Sequence, residues 1–484
     1  MRRLNFAPAA LLAIAGLSAQ TPPSVASIAG RLTANALKAD VSFLASDALE
    51  GRGTPSRGLD IAAEFIASQF RRAGLKPAGD DGYFQTADFD EVTASTEGLA
   101  LAAEANGETV RADADGIRFL EADGADFDGI PVLHMTLDRA AALESLAAGA
   151  ARGRALVVEV PENGRALIRR IPEMAGRLEA AIVIVLGAPG RGPAQLERLR
   201  QVTAAVSATP VLSISDAAFQ KAVLAPGARL SAHIPAPKAT PVKLRNVIGV
   251  LPGSDPVLRD SYVLVTAHYD HLGIRGSGPG DHIYNGADDD ASGTASALEI
   301  AETLAALPER PRRSVVFMTF FGEELGEVGS RYYAAHPVFP LAKTAVDLNL
   351  EQLGRTDEAG VGVQTGQYYL TGFEFTDLAP VLRQAAKPFG IRVVNDKERN
   401  EQYFRQSDNY AFAEAGVPST TIAVAYQFSD YHQPGDEWPK LDYDNMAKVD
   451  GAVALGVWEV ASNPDAPAWN AKNPKTEGFR AKKR

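Results

Sequence analysis

The sequence predicts an α/β protein: a mixed, mostly parallel central sheet with helices on both faces, joined to a smaller β-rich inserted domain. Three observations carry this. After residue 245, apolar runs of strand length alternate with helical segments, a pattern that suits a sheet buried on both sides. Between 96 and 240 the texture shifts to short β-like runs set among Ala and Gly. Finally, 484 residues exceed the length of one ordinary domain.

In chain order, residues 1–20 read as an export signal. Arg2 and Arg3 precede an apolar run from Ala7 to Leu17, and Ser18 and Ala19 lie before Gln20. The run is too short to span a bilayer, and no later segment is apolar for about eighteen residues. The expectation is therefore a secreted or periplasmic protein without stable membrane insertion. Residues 21–95 form the first part of the main domain. There Ile61, Phe65, Ile66 and Phe70 recur at helical spacing, and Gly74 and Pro77 stop the helix. Residues 96–240 form the insert, with strand-like runs at Ala155–Val160, Ala181–Leu186 and Pro210–Ser215. It ends in a Pro-rich stretch from His233 to Pro241 that reads as a linker. Residues 241–462 complete the main domain, with strands at Tyr262–Ala267, Ser314–Phe321, Ala345–Leu350 and Ser419–Val424 and helices at Ser292–Leu307 and Met446–Val460. Residues 463–484, rich in Pro, Asn and Lys, read as a flexible tail.

Composition narrows the chemistry. A net charge of −12 argues against a nucleic-acid partner. The absence of cysteine excludes disulfides, a thiol nucleophile, zinc–thiolate sites and iron–sulfur clusters. Any metal must be held by His, Asp and Glu. A Gly-x-Ser-x-Gly elbow is missing, which disfavours a serine hydrolase.

Five sites lie at or just beyond the ends of these strands, where open α/β sheets gather their ligands. In Ala267-His268-Tyr269-Asp270-His271, the spacing of His268 and Asp270 suits a metal ligand with a carboxylate to orient it. Asp288, Asp289 and Asp290 are three adjacent carboxylates that repel one another unless a positive group sits among them. Glu323 and Glu324 follow an apolar strand, so one can bind metal while the other acts as a general base. Strand alternation puts Asp347, Asn349 and Glu351 on one face, which is costly to bury without partners. His432 sits beside Tyr431 in a loop. Singly, each site has an ordinary structural reading: a strand-end His, capping or calcium-binding carboxylates, solvent-facing glutamates. Together they offer imidazole and carboxylate and nothing soft, which suits zinc.

In their order, these motifs resemble the secreted dizinc aminopeptidases, the metallopeptidase family that also contains glutamate carboxypeptidase and glutaminyl cyclase relatives. The resemblance is close over about 245–460. It is looser over the lead-in, where Phe43-Leu-Ala-Ser-Asp-Ala-Leu-Glu-Gly-Arg-Gly resembles the opening of bacterial members. It implies two zinc ions held by His268, Asp289, Glu324, Glu351 and His432, with Asp289 bridging and Asp270 orienting His268. It further implies that Glu323 is the general base toward a water shared by the metals, and that Tyr431 donates a hydrogen bond to the oxyanion. Two departures stand out. The family's Asn-Leu-Asp is Asn349-Leu350-Glu351 here, with Asp347 as the alternative fifth ligand. Gln406, not Arg, precedes Ser407-Asp408. Residues 96–240 resemble the protease-associated insert of some members.

The reading that follows is an exopeptidase acting on peptide substrates, an aminopeptidase first. A carboxypeptidase or dipeptidase on the same site is the alternative. A one-zinc glutaminyl cyclase or a non-catalytic binding protein on the same scaffold fits the intact ligand positions less well.

Overall fold

The computed structural model describes residues 23–482 apart from 122, 138–145, 162–167, 169–170, 188–195, 203–208 and 359–364. The export signal expected at 1–20 lies outside the described residues. No helix among the described residues is long and apolar enough to cross a membrane. The chain divides into two compact units, one made of 1–86 and 245–484, the other of 87–244.

After a short helix at Val25–Ala29, the first unit carries two longer helices whose starts are capped by hydroxyls. Thr33 Oγ1 accepts the Ala36 N–H at the head of α1 (Ala34–Leu44), and Ser56 Oγ accepts the Leu59 N–H at the head of α2 (Arg57–Arg72). The buried stripe of α2 runs through Leu59, Ala62, Ala63, Ile66, Ala67 and Phe70. Ile61 and Phe65, expected on that stripe, lie at its margin and are only half-buried.

The sheet of this unit contains β1 (Lys238–Leu251), β2 (Tyr262–His268), β3 (Ser314–Phe320), β4 (Thr344–Leu350), β5 (Gln367–Leu370), β6 (Arg392–Val394) and β7 (Ser419–Ala423). Its order is β6-β5-β7-β4-β2-β3-β1. The central neighbours are parallel: β2 with β3 and β4, and β4 with β7. β1 and β5 pair antiparallel with β3 and β7, which makes the sheet mixed. Every residue of β3, β4 and β7 is buried. Coverage on both faces explains the apolar run Val315–Met318 of β3, while buried polar residues of β4 and β7 such as Asn349 and Thr421 are hydrogen-bonded to each other. On one face Leu264, Val316, Met318 and Phe320 pack with Tyr333, Phe412 and Val417. Helix α3 (Gly293–Ala305) lies across β2, β3 and β4, and its many Ala residues permit a close approach. Helices α4 (Ala379–Ala386) and α5 (Tyr443–Ser462) pack on each other, and α5 also meets α1 and α3.

Two local expectations are corrected. The Pro-rich run from His233 to Pro241 is mostly strand, because only 235–237 fall between Arg229–Ile234 and β1. Proline's fixed φ is compatible with extended backbone where its missing N–H is not required. The segment after 462 is not loose. Trp469 and Phe479 are buried with Phe375, Phe404 and Ala413, and the Trp469 indole N–H donates to the Gly416 carbonyl at 3.0 Å. Two large aromatics outweigh the polar composition around them.

The second unit holds an eight-stranded sheet, in the order 108–111, 100–105, 229–234, 125–136, 155–159, 182–186, 211–214 and 117–121. The four strands from 125–136 to 211–214 run parallel. Apolar clusters cover both faces, one around Val157, Ile184 and Phe219, the other around Val158, Val185 and Leu178. Its histidines, His134 and His233, pair singly with Glu159 and Asp126 near the surface.

Candidate metal centre

His268 is the last residue of β2. Glu323 and Glu324 follow the turn after β3, and Glu351 directly follows β4. Because these three strands are parallel neighbours, their carboxyl ends bring the residues to one edge of the sheet. The loop after β7 delivers His432, whose φ of +55° is left-handed, a conformation uncommon for a non-glycine residue.

The three adjacent aspartates divide their work by geometry. Asp288 Oδ1 accepts the Gly354 N–H at 2.6 Å. Asp290 Oδ1 accepts N–H groups from Gly293 at 2.9 Å and Gln352 at 3.2 Å, and its Oδ2 accepts the His268 N–H at 3.3 Å. Both carboxylates thus tie neighbouring backbone segments together. Asp289 alone is left facing imidazoles. Its Oδ1 lies 3.3 Å from His268 Nε2 and its Oδ2 lies 3.0 Å from His432 Nε2. The Asp288 and Asp289 amides are themselves held by the Asp436 carboxylate at 3.0 to 3.1 Å.

Two donor groups result. His268, Asp289 and Glu351 form one, and His271, Asp289 and Glu324 form the other, with all ligand atoms of a group within 4.8 Å of one another. His432 joins the second, with Nε2 3.3 Å from Glu324 Oε2. In a tetrahedral zinc site with bonds of about 2.0–2.1 Å, ligand atoms sit roughly 3.3 Å apart. The spacings from Asp289 to each histidine match that edge. Several of these atoms are buried and have no hydrogen-bond partner: His268 Nε2, His271 Nδ1 and Nε2, Asp289 Oδ2, Glu324 Oε1 and His432 Nε2. Each orphan costs about 1–3 kcal/mol unless something compensates it. Divalent cations among nitrogen and oxygen donors are the fitting compensation.

Electrostatics points the same way. Burial opposes charge on His268, yet Asp270 and Asp289 hold it well above the ordinary imidazole range. Burial likewise opposes charge on His432, but Asp289 and Glu324 push it up to about 10. Burial would raise Asp289, but the close His268 and His432 imidazoles keep it below the carboxylate range. Burial, then the carboxylates of Glu351, Asp408 and Glu324, push Glu323 well above its usual value against the pull of His268. Burial also raises Glu351 to about 7. This is a pocket of excess negative charge that attracts cations or protons.

The remaining candidates are placed as follows. Asp270 approaches His268 Nδ1 with its carboxylate at 3.6 Å, while its carbonyl lies closer, at 3.2 Å. Asp347 is fully buried away from both donor groups, with Oδ1 accepting the Thr266 hydroxyl at 2.8 Å. Asn349 donates to Ser407 Oγ and Thr421 Oγ1. The Tyr431 ring stacks on His432 at 3.9 Å between centroids, and Tyr431 and Glu351 line the same cavity of about 160 Å³. Burial and the surrounding carboxylates raise the Tyr431 pKa, so its hydroxyl keeps its proton.

Three contributors were given no role from the sequence alone. Arg52 is fully buried and donates Nε to the Tyr269 carbonyl at 2.8 Å, Nη1 to Asn285 at 2.7 Å and Nη2 to Gly286 at 2.9 Å. Asp436 secures the aspartate turn. His271 enters the second donor group. Asp436, four residues after His432, and His271, three after His268, were visible as neighbours of chosen residues, but the role of Arg52 needed the fold.

Residues 246–457 match the model of Peptidase family M28. Among curated proteins, the "Probable zinc metalloprotease" of Pyrenophora tritici-repentis is 27% identical over 269 residues, 47% of this chain and 59% of that one. Aminopeptidase YwaD of Bacillus subtilis is 25% identical over 243 residues, 48% of each. The chain spans about half the length of the curated relatives it matches. Among solved structures, the aminopeptidase from Aneurinibacillus sp. strain AM-1 aligns over 92% of this chain and 97% of its own, with a TM-score of 0.59 at 17% identity. A zinc aminopeptidase from Bacillus subtilis aligns over 88% and 95%, with a TM-score of 0.51 at 20% identity. At such identities the likeness is one of fold, and it agrees with the mixed α/β architecture.

Proposed function

We propose that this chain, a member of Peptidase family M28 over residues 246–457, is a two-zinc exopeptidase that removes N-terminal residues from peptides. The observation that carries this is the bridging posture of Asp289, whose two oxygens face His268 and His432 separately. His268, Asp289 and Glu351 would hold one cation. Asp289, Glu324 and His432 would hold the other. When bound, the cations polarise the scissile carbonyl and bring the pKa of water toward neutrality.

The protein groups do the rest. Glu323 takes the proton of the attacking water and passes it to the leaving amine, a role suited to a carboxyl raised by burial. Tyr431, protonated and beside Glu351, donates to the developing oxyanion. The acidic cluster accepts a free α-ammonium. The adjoining cavity is lined by Gln402, Tyr403, Gln406, Ser407, Tyr426 and others, with no lysine or arginine among its described lining residues. A substrate C-terminal carboxylate finds no cation there, so the amino end is favoured.

Export directed by residues 1–20 places the enzyme outside the cytoplasm, and residues 96–240 act as a protease-associated-type insert. The test is metal analysis with a panel of aminoacyl anilides and N-blocked peptides. Two zinc per chain and activity on free amino ends alone are expected. Protein that binds no zinc, or turnover of Glu323→Gln within about tenfold of the native rate, overturns the assignment, since general bases contribute 10²–10⁴-fold.

A further inference from the structure

We infer that His271 is a further ligand of the cation held by Asp289, Glu324 and His432, giving that position two imidazoles. The inference rests on the two-zinc reading and adds a residue outside the ligand set named above. The His271 side chain is fully buried, and neither ring nitrogen has a hydrogen-bond partner. Its Nδ1 lies 2.7 Å from Glu324 Oε1 and 3.9 Å from Asp289 Oδ2. Nδ1 faces Glu324 Oε1, while Nε2 is buried without any partner. One ligand atom each of His271, Asp289 and Glu324 lies within 4.8 Å of the other two, close enough to reach a common ion. The His271 ring meets the His432 ring edge-on, with centroids 5.6 Å apart.

The ring is clamped where it stands. The His271 N–H donates to the Arg52 carbonyl at 3.2 Å. Gly286, at φ +57°, leaves the space the imidazole occupies, since a Cβ there would lie 2.4 Å from His271 Cγ. A histidine kept only for packing would satisfy at least one ring nitrogen. This one directs an unsatisfied nitrogen into the acidic cluster.

The test compares native protein with His271→Ala and His271→Gln as full chains loaded with zinc. The readouts are metal stoichiometry, affinity by chelator competition, and the imidazole count from X-ray absorption. Expected are three imidazoles per two zinc ions in the native protein. In both variants one zinc stays tightly bound, the other weakens by at least about tenfold, and one imidazole is lost. Two imidazoles in the native protein, or unchanged zinc affinity in the variants, overturn the inference. The native measurement decides the matter even if the variants fold poorly. Native protein that binds no zinc instead overturns the function on which the inference rests.

Discussion

The Asp270 carboxylate accepts the backbone N–H of Glu323, with Oδ1 3.1 Å from the amide nitrogen. Its other oxygen accepts the Thr54 hydroxyl at 3.2 Å. Asp270 therefore connects β2, the lead-in segment and the residue assigned as general base, besides standing next to His268. Asp270→Asn keeps the shape but leaves one oxygen where two are used. Activity should fall about 10–100-fold, mainly in kcat, with little change in KM. A steady-state comparison at saturating zinc reads this directly, and a pure KM effect contradicts it.

Arg52 should matter for folding more than for chemistry. Burial lowers its pKa to about 10, opposed by Asp270, Asp436 and others, so it remains charged at neutral pH. Removing it leaves buried carbonyls of Tyr269, Asn285 and Gly286 unsatisfied. Arg52→Met should cost on the order of 3–5 kcal/mol in urea unfolding. Arg52→Lys should recover little, because an ammonium lacks the planar fork that reaches these carbonyls and that of Leu44.

Tyr431→Phe separates oxyanion stabilisation from metal binding. The variant should keep both zinc ions and lose about 10²-fold or more in kcat. Zinc lost along with activity would mark the ring as support for His432 instead.

Stability should decline with rising pH because of a buried carboxyl pair outside the two donor groups. Burial pushes Glu299 up to about 8 and Asp40 up to about 6, with Glu302 adding to both shifts and Arg72 opposing them. Both folded values lie above those of the unfolded chain. Below about pH 3 the carboxyls are protonated in either state and impose no penalty. Between there and pH 8 the unfolded chain ionises first, and stability falls by at most about 1.4 kcal/mol per unit per group. Glu299→Gln should flatten this slope. Urea midpoints at pH 5 to 8 check it, and equal slopes in the two proteins refute it.

Substrate side chains should follow the cavity beside Glu351. Its described lining is glutamine, threonine, serine, alanine and tyrosine, with Glu351 as the acid. Uncharged N-terminal residues should be cleaved faster than glutamate or aspartate, whose charge finds no cation there. An acidic preference in kcat/KM refutes this.

The sequence by itself determined the fold class and the identity of the strands that matter. Apolar runs such as Val315–Met318 must be covered on both faces, and open α/β sheets gather their functional groups where such strands end. That rule brought His268, Glu323, Glu324 and Glu351 into view, and the family resemblance chose Asp289 from three equivalent neighbours. Only the tertiary structure decided what each aspartate does, because the difference between Asp288, Asp289 and Asp290 lies in backbone amides more than sixty residues away or across a turn. The same holds for Arg52, which reaches carbonyls over two hundred residues distant, and for the Trp469–Phe479 packing that orders the final segment. Hydrophobic periodicity is a local property written along the chain. Hydrogen bonds to distant backbone leave no mark in it, because any residue supplies the same N–H or C=O.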